Sequence, residues 1–139
     1  MKAFGFLGSL VILAFLLAPE AEAQESPLRV DGATTVDAAT AKTLFDRGVH
    51  FVDVRGKDLW EAGHIPGAAY LDLFSGFNED NLLKVAAKDQ EVVIYCAGPG
   101  CKRSGKACAK AVSWGFEKVY YFRLGYPAWR AAGFPTDPP

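Results

Sequence analysis

Cysteine is scarce in this chain: three residues in 139, an odd number and too few for the disulfide framework of a small exported scaffold. Histidine is scarcer still. His50 and His64 stand apart, and no cysteine or histidine cluster has zinc-ligand spacing, so no metal is expected. Neither sign of charge dominates, with 15 basic and 16 acidic residues and a formal net charge of −1. That balance gives no reason to expect nucleic acid or an acidic membrane surface as a partner. Internal repeats, low-complexity tracts and a second domain are all missing.

Only one long apolar run exists, Ala3 to Ala18, behind the basic start Met1-Lys2. It falls short of the ~20 residues that span a bilayer. Ala21-Glu22-Ala23 then supplies a small-x-small cleavage pattern before Gln24. Residues 1–23 are therefore expected to be an export signal, removed so that no stable membrane insertion remains. The protein would be periplasmic in a Gram-negative cell and secreted otherwise. Losing Lys2, Glu20 and Glu22 brings the mature net charge close to zero. The mature chain has the length of one ordinary domain, enough to bury a core without staples.

Strand-like and helix-like segments alternate along that domain. Residues 24–33, with Pro27 and Gly32, read as an extended N-terminal segment. Strands are expected at 34–36, 51–54, 68–71, 92–95 and 119–122. Helices are expected at 38–47, capped by Asp37 and stopped by Gly48, then at 58–62, 79–88, 104–114 and 126–132. Alternation of this kind implies an α/β fold: a mainly parallel five-stranded sheet with helices on both faces. The domain is placed at 34–135, with 136–139 as a C-terminal tail.

The segment Val92-Val93-Ile94-Tyr95-Cys96-Ala97-Gly98-Pro99-Gly100-Cys101-Lys102-Arg103-Ser104 is the richest in chemistry. It puts Cys96 at the carboxyl end of a buried strand, where open α/β sheets bind ligands. A loop curling over that thiol would surround it with backbone N–H groups and the start of a helix. Such a seat lowers a thiol's pKa and cradles an anion. The competing reading is a strand that ends in a buried structural cysteine. Cys101 and Cys108, about two helical turns apart, cannot pair. Cys96 and Cys101 flank one tight loop and could meet. Cys108 falls on the packing face of the following helix, among Ala107, Ala111 and Val112, and reads as core.

The chain resembles the single-domain rhodanese-like proteins. The resemblance rests on Asp53-Val54-Arg55, on Gly63-His64-Ile65-Pro66-Gly67-Ala68, and on Tyr95-Cys96 with its loop. It rests also on Arg123-Leu124-Gly125-Tyr126-Pro127-Ala128-Trp129 followed by Ala132-Gly133-Phe134-Pro135. It spans about Thr34 to Pro135 and implies a rhodanese-like domain that carries out sulfane-sulfur transfer. Cys96 would take the outer sulfur of a small sulfur-containing anion such as thiosulfate, hold it as a persulfide, and pass it to a thiol, cyanide or a protein acceptor. This chemistry requires no organic cofactor and no metal.

On that reading the donor lies against Ala97, Gly98, Gly100, Cys101, Lys102, Arg103 and Ser104. Arg103 is suited to bidentate contact with a sulfonate-like group, more so than Lys102 or Lys106. Asp53, Arg55 and His64 are supporting residues: the first two as an ion pair or loop clamp, His64 as a backbone hydrogen-bonding partner beside the Pro66-Gly67 turn. Tyr126, Trp129 and Phe134 read first as core of the last helix, with a wall at the site mouth as their other role.

The loop departs from the family pattern. Six residues separate Cys96 from Arg103, two more than the resemblance implies and one more than in the related phosphatases. Cys101 is the second unusual feature: some small exported rhodanese-like proteins are similar in carrying paired loop cysteines, but a tryptophan follows the second cysteine there and Lys102 does here. Cys101 could be a bystander, it could attack a persulfide on Cys96 and release sulfide, it could protect Cys96 from over-oxidation, or it could serve as a redox partner that closes a short, readily reduced disulfide on Cys96. Two other classes of function therefore stay open: a non-enzymatic sulfur-carrier or binding module, and a thiol-disulfide redox protein using Cys96 and Cys101. Phosphatase or arsenate-reductase chemistry is more remote.

Overall fold

Apolar runs of four or five residues become central strands here because both of their faces are covered. In the computed structural model, which describes residues 25–139 together with Ala3 and Gly5, five strands form one sheet. They are β1 (Ala33–Thr35), β2 (His50–Asp53), β3 (Ala69–Tyr70), β4 (Glu91–Tyr95) and β5 (Lys118–Phe122). Their order is β1-β5-β4-β2-β3 and every pairing is parallel. The expected leader and its cleavage site lie outside the described residues, apart from Ala3 and Gly5.

Side-chain alternation divides the core in two. On one face Val52, Val92, Ile94, Val119 and Tyr121 pack with Leu82 of α3 (Glu79–Leu83) and with Ala107, Cys108 and Ala111 of α4 (Arg103–Ser113). The other face joins Phe51, Val93, Tyr95 and Phe122 to α1 (Ala38–Asp46) and α5 (Gly125–Ala131) through Ala41, Leu44 and Trp129. Trp60 of α2 (Lys57–Ala62) packs against this second cluster. The small residues of α4 let it lie close to the sheet.

Caps follow the sequence at two starts. Asp37 accepts from the Thr40 N–H at 2.8 Å, and Asn78 from that of Asn81 at 2.8 Å. The Thr40 bonds hold the Asp37 carboxyl below its ordinary pKa. One helix is shorter than its pattern suggested: α3 stops at Leu83, not at 88. The Gln90 side chain accepts the Ala87 N–H at 2.8 Å, and the Gln90 N–H donates to the Ala87 carbonyl at 3.0 Å. This local turn captures backbone groups that a longer helix would have used.

All five strands end at one edge of the sheet. The register aligns Asp53 with Tyr95 and Tyr95 with Phe122, so the segments starting at Val54, Cys96 and Arg123 emerge side by side.

A candidate active site at the carboxyl edge of the sheet

Cys96 follows β4 directly and is 1% exposed. It is bonded to Cys101 in a disulfide whose Cα atoms lie 6.3 Å apart. The loop between them turns at Gly98, with φ +118°, and is closed by the Cys101 N–H donating to the Gly98 carbonyl at 3.0 Å. Both flanks are anchored from distant parts of the chain. The Cys96 carbonyl accepts from the Tyr126 N–H at 3.0 Å, and the Pro99 carbonyl from the Ser26 N–H at 2.7 Å. Gly125 makes the first anchor accessible. Its φ is +62°, and a Cβ there would collide with the Cys96 carbonyl.

The second anchor belongs to a strap formed by residues 25–27. Buried Arg123 donates to the Ser26 carbonyl at 3.1 and 3.2 Å and pairs with Glu25 at 3.0 Å. The Tyr121 hydroxyl donates to the Pro27 carbonyl at 2.9 Å. The segment expected to be merely extended thus braces the cysteine loop, a role its composition did not signal.

A cavity of about 380 Å³ opens over the disulfide. Cys96, Ala97, Cys101 and Arg103 line one side, and Arg55 with Gly56 to Leu59 lines the other. Lys57 and Arg103 bring positive charge to the cavity beside Asp58, while the Arg55 guanidinium is balanced by buried Asp53. The α4 start, with no side-chain cap, adds first-turn amides that lack intrahelical acceptors. An anion is the charge this cavity suits. Gly98, Gly100, Lys102 and Ser104 lie outside the lining. The Ser104 hydroxyl is buried behind the loop without a hydrogen bond.

Arg103 is held rather than loose. Its Nη1 lies 3.4 Å from the Asp72 carboxylate and 3.4 Å from the Val54 carbonyl, and its guanidinium sits 4.5 Å from the centroid of exposed Phe74. Neither Asp72 nor Phe74 figured in the sequence reading, nor did Lys57. Their segments follow β3 and β2, and the strand order brings Lys57 to the cavity and the other two to Arg103.

Asp53 and Arg55 form a buried pair. Arg55 Nε reaches both carboxylate oxygens at 3.0 Å and Nη2 reaches one at 2.7 Å, while Nη2 also donates to the Gly63 carbonyl at 2.6 Å. The guanidinium lies 4.4 Å from the Tyr126 ring centroid. Tyr95 completes this cluster: its hydroxyl accepts the Ile65 N–H at 3.0 Å. Burial, followed by the Asp53 charge, pushes its pKa far up.

His64 stays away from the cavity. Its Nδ1 bonds the Trp60 carbonyl at 2.9 Å, its ring stacks on Trp60 at 3.4 Å, and its backbone pairs with that of Asp137. The neighbouring turn is closed by the Ala68 N–H donating to Ile65, with Gly67 at φ +73°. Trp129 is fully buried, and Tyr126 and Phe134 join the same cluster. Cys108 is fully buried too, and burial pushes its thiol pKa well up.

A family model described as a rhodanese-like domain matches residues 37–132. A thiosulfate sulfurtransferase GlpE of Pseudomonas fluorescens is 33% identical over 97 residues, covering 70% of this chain and 84% of its own. The GlpE of Pseudoalteromonas translucida is 35% identical over 95 residues, covering 68% and 86%. Among solved structures, the BH2092 protein of Bacillus halodurans superposes with a TM-score of 0.66 at 29% identity, covering 75% of this chain and 76% of that one. The rhodanese-like domain of the Anabaena Alr3790 protein gives 0.63 at 28%, covering 73% and 76%.

Proposed function

The chain belongs to the rhodanese-like domain family of sulfurtransferases, and from that premise we propose that its reduced form moves a sulfane sulfur through a persulfide on Cys96. The observation that carries this reading is the cavity that Cys96 shares with Lys57 and Arg103. Cations beside a thiol favour its thiolate, and the same cations attract a dianionic donor such as thiosulfate. The thiolate attacks the outer sulfur, the S–S bond of thiosulfate breaks, and sulfite leaves with the electron pair. A thiol or cyanide then removes that sulfur from Cys96. Arg103 is the donor-binding residue best suited by shape, and Asp72 and Phe74 position it. Ala97 and Cys101 face the donor beside it.

The test is intact-mass analysis of reduced protein with thiosulfate, alongside thiosulfate:cyanide turnover. Cys96→Ser should take up no sulfur and turn nothing over while keeping its fold, because a hydroxyl cannot carry a sulfane sulfur. Turnover retained in Cys96→Ser and lost in Cys101→Ser would place the nucleophile elsewhere. A second reading, a thiol-disulfide redox protein, is favoured by one observation, the Cys96–Cys101 disulfide itself. Residues 1–23 are read as an export leader, an oxidising destination in which such a bond can persist. N-terminal sequencing of native material should begin at Gln24, and full-length protein in the membrane fraction would refute that.

A further inference from the structure

We propose that Cys101 resolves the Cys96 persulfide, making the site a sulfide-releasing reductase of thiosulfate that a dithiol resets. The inference rests on the sulfurtransferase reading and adds a second fate for the bound sulfur. A persulfide has two electrophilic sulfurs. Attack on the outer one hands the sulfur to an acceptor, whereas attack on the inner one, Cys96 Sγ, expels it as sulfide. Cys96 lines the cavity and is 1% exposed with Cys101 bonded to it, and an external thiol entering that cavity meets the outer sulfur of the persulfide before the inner one.

Cys101 approaches from inside. Its sulfur is bonded to Cys96 Sγ across a 6.3 Å Cα separation, and that bond is the product which attack on the inner sulfur would leave. The loop holds this arrangement through its own turn and through anchors at Tyr126 and Ser26, so the two sulfurs meet without any opening of the core.

The steps balance. Thiosulfate and the Cys96 thiolate give sulfite and the Cys96 persulfide anion. The Cys101 thiol then loses its proton and bonds to Cys96 Sγ while the outer sulfur departs as hydrosulfide. The sulfane sulfur is reduced by two electrons and the two cysteines are oxidised by two. A dithiol reductant restores both thiols and becomes a disulfide itself. Cys101 is only half-buried and lines the cavity, so the reductant engages its sulfur and Cys96 leaves as the thiolate, ready for another donor.

The test is a single turnover of the reduced full chain with thiosulfate, freed of reductant and air. Wild type should lose two hydrogens, release one equivalent each of sulfite and sulfide, and show a Cys96–Cys101 linkage by peptide mapping. Its rate should be independent of protein concentration. Cys101→Ser should gain one sulfur on Cys96 and release no sulfide until a thiol is added. If wild type keeps its added sulfur as long as Cys101→Ser does and releases no sulfide, the resolving role fails and transfer stands. If neither protein takes up sulfur, the sulfurtransferase reading falls and this inference with it. The wild-type measurement decides the matter even if the variant folds poorly.

Discussion

Replacing Arg55 by methionine should cost this protein about 3–5 kcal/mol, the range for stranding one partner of a buried ion pair. Asp53 is fully buried and Arg55 is 3% exposed. Three of the contacts to the Asp53 carboxylate come from the Arg55 side chain, and methionine removes them all. What remains is the Arg55 backbone N–H at 2.9 Å and the neighbouring Tyr95 hydroxyl. The Gly63 carbonyl loses its donor as well. Against a typical domain stability of about 5–15 kcal/mol, the loss is a large fraction of the total.

The assay is urea unfolding followed by tryptophan fluorescence, with the disulfide state fixed. With a slope of about 2 kcal/mol per molar, the midpoint should fall by about 1.5–2.5 M. Adding Asp53→Asn to Arg55→Met should recover part of the loss, because an unpaired amide costs only about 1–3 kcal/mol. A cost below about 1 kcal/mol for Arg55→Met, or further destabilisation by Asp53→Asn in that background, would refute the argument.

Three other outcomes are expected. Arg103→Ala should raise the KM for thiosulfate several-fold and Lys106→Ala should raise it little, because Arg103 lines the cavity and exposed Lys106 does not; equal effects in steady-state kinetics would leave the donor to backbone amides. Gly125→Ala should destabilise the fold and speed hydrogen exchange at Tyr126, since its Cβ meets the Cys96 carbonyl; unchanged exchange would contradict the close approach. Cys108 has a folded-state pKa above its unfolded value, so its contribution is complete below about pH 8.5 and is lost as pH rises further. Oxidised wild type should therefore lose about 2 kcal/mol more than Cys108→Ala between neutral pH and about pH 10 in urea titrations, and equal losses would mean that the thiol ionises freely.

The strands and their order of appearance are legible in the sequence because a buried parallel strand leaves a mark: Val92 to Tyr95 is apolar without interruption, and such a run needs cover on both sides. Cys96 inherits its place from that run. The Asp53–Arg55 pair is legible too, since two opposite charges two residues apart at a strand end have few other partners. Side chains brought in by topology are not legible. Lys57 comes to the cavity, and Asp72 and Phe74 come to Arg103, because β2 and β3 lie beside β4, and no local periodicity records which strands are neighbours. The strap is harder still, because Arg123 recognises the Ser26 carbonyl and the Ser26 N–H recognises the Pro99 carbonyl. Backbone groups occur at nearly every residue and carry no sequence signature.

Cys101 shows where the two kinds of information join. A spacing of five residues across a Gly/Pro loop brings two thiols near each other, but the same spacing in a free loop would let them separate. What holds the turn closed is a pair of anchors donated by Ser26 and Tyr126, one hundred positions apart in the chain. The pairing of Cys96 with Cys101 is thus a tertiary property. Ser26→Pro, which removes the Ser26 N–H, or Gly125→Ala should loosen it without touching either cysteine.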